Sequence, residues 1–133
     1  MTRFVIDADA ALHLVSEDIA VSARHELLAP TLLRSQTLSA LHEAVSRGDL
    51  AADVARDHLA RLGRMPIRLL GDAVLRRPAW DVADRLGWAS TYDAEYVALT
   101  LLQADAFITL DKQLARRVEG IVATASIGAL SSR

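Results

Sequence analysis

The run from Ser90 to Asp111, STYDAEYVALTLLQADAFITLD, limits the folds open to this chain more than any other stretch. Ser90 and Thr91 are good helix N-caps, and Asp93 and Glu95 follow in the first turn. Ala94, Val97, Ala98, Leu101 and Leu102 then recur at helical spacing and predict one apolar stripe. Ala104-Asp105 ends the helix, and Ala106 to Leu110 reads as a short buried strand that stops at Asp111. A helix with an acid in its first turn thus leads into a buried strand closed by a second acid. Arg3-Phe4-Val5-Ile6 repeats the second half of this pattern and stops at Asp7.

The rest of the chain alternates in the same way. A helix begins at Ala8, and a further helix-prone segment runs from Ile19 to Ala23. Glu26 to Ala29 is a second strand, stopped by Pro30. Proline suits a first helical position, so a long helix is expected from there to Arg47, with Leu33, Leu38, Leu41 and Val45 as its stripe and Gly48 as its end. Asp49 to Asp53 caps the next helix, which carries Val54, Leu59 and Leu62 and stops at Gly63. Pro66 to Leu70 is a third strand. Gly71-Asp72 leads into a helix from Ala73 to Leu86 that Pro78 is expected to break or offset. After Asp111 come a short helix to Val118, a last strand from Gly120 to Thr124, and a weakly helical or frayed tail to Arg133. Strand–helix alternation of this kind predicts a parallel sheet covered on both faces, in one domain spanning residues 1–133.

With 133 residues, 52% of them apolar, the chain has the material for one real core. A net charge of -2 leaves no overall basic field, so a polyanion would have to be held locally, by arginines or metal ions. The absence of cysteine excludes disulfides, thiolate metal sites and cysteine nucleophiles, and fits a reducing compartment. The N-terminus has no signal-peptide pattern, and no stretch approaches the ~20 apolar residues of a membrane span. The expectation is a cytoplasmic protein without membrane attachment.

In an open parallel sheet the C-terminal strand ends face the ligand crevice. Asp7, Asp93 and Asp111 each stand at such a strand end or at a helix start, so they converge if strands one and four are neighbours. Three like charges held together demand neutralisation. A hard divalent cation such as Mg2+ or Mn2+ does this through a few carboxylates and several waters, and it can assist phosphodiester hydrolysis. Asp93 and Asp111 also have a plainer role, since an aspartate at a helix start satisfies free N–H groups.

The segments FVIDADAAL, LLAPTLLRSQTLSAL and YDAEYVALTLLQADAFITLD, in that order over almost the whole chain, resemble a PIN domain of the VapC type. The resemblance implies a three-layer α/β/α sandwich around a parallel sheet of about five strands. It also implies metal-dependent cleavage of RNA, a toxin role restrained by a small antitoxin protein, and a homodimer. The family's acids fall on Asp7, Asp93 and Asp111, which would be both catalytic and metal-binding. One position departs from the pattern: Gln36 stands in the long helix where the family usually has glutamate. Its amide oxygen can still ligate Mg2+ or orient its waters, but it brings no negative charge. Glu43, on the same helical face, is two turns away, about 10 Å, and is a poor stand-in. Asp9 is nearer the first acid and is a further candidate ligand.

Arg34, Lys112, Arg116 and Arg117 are candidates for holding RNA phosphate, against the plainer reading of solvated helix faces. Thr109 could aim its hydroxyl into the site or be only a strand former. The four histidines show no metal-ligand spacing, and Trp80 and Trp88 read as packing or antitoxin-groove residues. The Asp7-Ala8-Asp9 pair also suits a HAD-type phosphohydrolase, but that chemistry needs a lysine near the phosphoaspartate, and the one lysine, Lys112, directly follows Asp111. The stronger rival is a catalytically impaired PIN fold that binds a protein or RNA, which Gln36 favours and the three aspartates disfavour.

Overall fold

The computed structural model describes residues 1–71 and 73–131; the expectations that touch Asp72 and the tail at Ser132 and Arg133 lie outside it. Five strands form one all-parallel sheet in the order β3-β2-β1-β4-β5, with β1 at Thr2–Ile6, β2 at His25–Pro30, β3 at Ile67–Leu70, β4 at Ala106–Ile108 and β5 at Thr124–Ala125. The central strands carry the apolar runs: Val5, Ile6, Leu28, Phe107 and Ile108 are wholly buried, as strands covered on both faces require.

The helices are α1 (Ala8–Ser16), α2 (Leu32–Ser46), α3 (Ala52–Arg64), α4 (Ala73–Leu86), α5 (Tyr92–Gln103) and α6 (Lys112–Arg117), followed by a 3-10 turn at Ile127–Ser131. The chain moves outward from β1 through β2 to β3, then returns to the other side of β1 for β4 and β5. Right-handed crossovers therefore place α1–α3 on one face and α4–α6 on the other. Accordingly α1, α2 and α3 pack on one another, while α4 packs on α5 and α5 crosses β1, β2 and β4. This is the three-layer α/β arrangement that the alternation implies. Its order reverses between β1 and β4, so the C-terminal ends of these two strands flank the crevice.

Several local expectations are corrected. Ile19 to Ala23 is not helical; this link is tied down by the Ser22 N–H, which donates to the Leu130 carbonyl at 2.8 Å. Pro30 ends β2, paired with Leu70, and α2 starts at Leu32, because a residue before proline prefers extended backbone and carries the strand through Ala29. The buried stripe of α2 is Leu33, Thr37 and Leu41, with Leu38 about half exposed. Thr37 can lie inside because its hydroxyl donates to the Leu33 carbonyl at 2.8 Å. Helix α3 runs through Gly63 to Arg64 and buries only Ala55; Val54 and Leu59 stay exposed. Asp49 caps nothing there, since its carboxylate pairs with Arg47 at 2.9 Å.

Helix α4 is continuous through Pro78, whose missing N–H and ring fall against the carbonyl of Val74, a solvent-facing residue. In α5 the buried residues are Ala94 and Tyr96 to Thr100, whereas Leu101 and Leu102 are exposed. Strand β4 stops at Ile108 because the Thr109 hydroxyl accepts the Asp111 N–H at 3.1 Å and turns the chain. The last strand is shorter and later than expected. Trp80 is mostly exposed, so it is not a packing residue, while Trp88 leans on the core.

Candidate active site

Asp7 follows β1 directly and is the N-cap of α1: its extended backbone ends the strand, and its Oδ1 accepts the Ala10 N–H at 3.0 Å. Asp111 does the same after β4, accepting the N–H groups of Gln113 at 2.9 Å and Leu114 at 3.1 Å. Since β1 and β4 are neighbours, both acids stand at the reversal of strand order. Asp93 comes to the same crevice from the first turn of α5. Gly87 aims that helix: at φ 70° it closes α4 in a left-handed turn, with the Trp88 N–H reaching back to the Ala83 carbonyl at 2.8 Å. Thr91 is the N-cap of α5 without a side-chain bond, and the Ser90 hydroxyl accepts the Tyr92 N–H at 3.3 Å.

The electrostatics record how close these groups are. Burial raises the Asp7 carboxyl above its ordinary range; the Thr109 hydroxyl and the Ala10 N–H pull it back, and Asp9 and Asp93 push it up again. Burial likewise raises Asp93, Asp111 adds to that, Arg117 opposes it, and Asp9 raises it slightly. Asp9, exposed in the first turn of α1, therefore belongs to the same cluster. Desolvation and like charge both disfavour ionisation, and a bound cation would relieve both.

Gln36 reaches the site from α2, and its Oε1 accepts the hydroxyl of Tyr96 at 2.5 Å. Tyr96 is almost fully buried, and burial together with Asp7, Glu95 and Asp93 holds its phenol far above the normal value, so it remains a donor. A cleft of about 480 Å3 opens beside these groups, lined by Gln36, Trp88, Tyr92, Asp93 and Arg117, among others. Arg34 is not part of it and opens on a separate apolar cleft between α2 and α3. Lys112 and Arg116 are exposed on α6. The Glu43 carboxylate accepts the hydroxyl of Ser39 on the same helix.

Sequence reasoning overlooked Tyr96, although its position three residues after Asp93 puts both on one helical face. It also undervalued Thr109, which contacts the backbone of Asp111 and the carboxylate of Asp7 at once. All candidate donors are hard oxygens, which suit Mg2+ or Mn2+. Among the described residues no three Asp, Glu or His side chains are so placed that they could together hold a metal ion. Mg2+ does not require three, since it commonly uses one or two carboxylates and completes its shell with water and substrate phosphate.

The fold is PIN/VapC-like. The chain is similar to PAE2754 from Pyrobaculum aerophilum, with a TM-score of 0.77 and 22% identity over 98% of this chain and 93% of that one. It is also similar to VapBC2 from Rickettsia felis, a structure bound to a DNA fragment from its promoter, with a TM-score of 0.62 and 7% identity over 93% and 98% of the two chains. At these identities the likeness is one of fold. No protein-family model and no curated protein matches the sequence.

Proposed function

We propose that this chain is a metal-dependent ribonuclease and the toxin of a toxin–antitoxin pair. The observation that carries the reading is the placing of Asp7, Asp93 and Asp111 where strand order reverses, close enough for Asp93 to act on Asp7 and for Asp111 to act on Asp93. Asp7, Asp93 and Asp111 would hold the ion, with Asp9 beside them, while the Gln36 oxygen is taken up by the Tyr96 hydroxyl. Mg2+ or Mn2+, when bound, supplies activation of water and neutralisation of phosphoryl charge. The protein residues orient and desolvate. The caps at Ala10 and at Gln113 and Leu114 fix two carboxylates, Thr109 links the two strand ends, and Arg117 offers a cation to a phosphate. No protein nucleophile is required.

On this reading the partners are RNA, a small antitoxin and a second copy of the chain. The exposed apolar side chains of Trp80, Leu101 and Leu102 support such contacts. No helix among the described residues is long and apolar enough to cross a membrane. Light scattering, alone and with a small protein encoded beside it, tests the assembly; a monomer in both cases would remove it.

The test of the activity is cleavage of RNA by the purified protein with Mg2+ or Mn2+, against an Asp7→Asn control. Cleavage that needs metal and disappears in the control supports the reading, and intact RNA with either metal overturns it. That second result would favour the rival of a PIN-like fold that binds without cutting. The bond that occupies the Gln36 oxygen is the observation on that side.

A further inference from the structure

We propose that the cleft walled by Gln36, Trp88, Tyr92 and Arg117 is a nucleotide subsite, which holds one unstacked nucleotide of a single-stranded RNA beside the acids. This rests on the ribonuclease reading and deepens it by naming the side chains that select the substrate.

The cleft, about 480 Å3, has the volume of a small-molecule pocket and a mixed lining. Tyr92 leaves more than half of its surface free at the mouth, an available face for a base, and Trp88 forms a second aromatic wall, anchored on the core. Stacking on such rings is the sequence-tolerant part of single-strand binding. Arg117 lies near Asp93 and supplies a charged donor on the acid side, where the phosphate following the held base would lie.

Gln36 supplies selectivity. An amide has one acceptor end and one donor end. The phenol of Tyr96 must place its proton on an acceptor, because a buried hydroxyl without a partner is costly. That acceptor is the Gln36 Oε1, on the buried side. The bond fixes which way the amide faces and leaves its N–H2 group to the cleft. Position 36 therefore presents two hydrogen-bond donors, which match base carbonyl or ring-nitrogen acceptors. A glutamate there would present only acceptors and a further negative charge.

The experiment uses the full chain carrying Asp7→Asn, so that RNA survives, with Mg2+ present. Binding of short labelled oligo(A), oligo(C), oligo(G) and oligo(U) is followed by fluorescence anisotropy. Adding Tyr92→Ala or Arg117→Ala is expected to weaken binding about tenfold, and Tyr92→Phe to restore it. Both positions are exposed, so the fold survives. Gln36→Glu is expected to change the rank order of the four oligomers, which a purely structural role would not do. Affinities within about twofold of the parent for all variants, or no measurable RNA binding by the parent, would overturn the subsite. Failure of the ribonuclease reading looks different. A chain with Asp7 intact that cleaves nothing, while the cleft variants still lose binding, leaves the subsite standing alone. Cleavage by that chain with unaffected binding in the variants removes the subsite and keeps the nuclease.

Discussion

The carboxylates at the two ends of the sheet are treated in opposite ways. At the N-terminal end, Glu26 on β2 faces Arg3 in register on β1 and reaches Arg68 on β3, at 3.3 Å and 2.6 Å. The hydrogen bond from Arg68, backed by the charges of Arg68 and Arg3, holds its carboxyl below the ordinary range. At the C-terminal end Asp7 and Asp93 are raised instead: burial lifts both, Asp9 and Asp93 add to Asp7, and Asp111 adds to Asp93 against the opposing charge of Arg117. Where an acid serves the sheet, neighbouring strands supply its counter-charge. Where the fold gathers acids at the crevice, Arg117 offsets only part of what burial and like charge do to Asp93.

This contrast can be broken most directly by activity. Asp7→Asn, Asp93→Asn and Asp111→Asn are each expected to lower metal-dependent RNA cleavage by at least about a hundredfold, while Glu26→Gln leaves it within about twofold. Asn caps helices nearly as well as Asp, so lost activity without unfolding separates chemistry from capping. Full activity in Asp93→Asn would return that residue to a plain helix acid.

Metal binding comes next in size. Mn2+ or Mg2+ is expected to raise the Tm of the parent by linkage, about 2.7 kcal/mol at a hundred times Kd, and to do so much less for Asp7→Asn. Calorimetry on Gln36→Glu is expected to show tighter metal binding than the parent, because a carboxylate adds charge to the cluster. Equal or weaker binding would mean that position 36 does not act on the ion.

The pH dependence separates the two ends of the sheet further. Asp7 has a raised carboxyl pKa, so its contribution to stability is full below the unfolded value and is lost as pH rises through the folded one. Metal-free Asp7→Asn should therefore melt above the parent at neutral pH, with the gain shrinking in acid. Glu26 has the opposite sign: its contribution is present above the unfolded value and is lost as pH falls through the folded one. Glu26→Gln should lower the Tm slightly at neutral pH and make no difference in acid. This is the smallest effect, because the arginines are largely exposed. Melting curves across pH that moved both variants in one direction would dissolve the distinction.

The chain alone carries the alternation, the five strands, and the three aspartates at strand ends and a helix start. Those features are local: a short apolar run, a capping acid and a helical period are each written within a few neighbouring residues. It also marked Gln36 as the odd position. Long-range packing settles which strands are neighbours, and so that Asp7 and Asp111 share one crevice. It alone revealed that Tyr96 holds the Gln36 oxygen, that Arg117 faces Asp93 while Arg34 looks elsewhere, and that Leu38, Leu101 and Leu102 lie outside the core. A periodic stripe states which residues share a face, but the width of that face and its neighbour are set by the helix across the sheet. Contacts such as Gln36 with Tyr96 join residues far apart in sequence, and no local pattern encodes them.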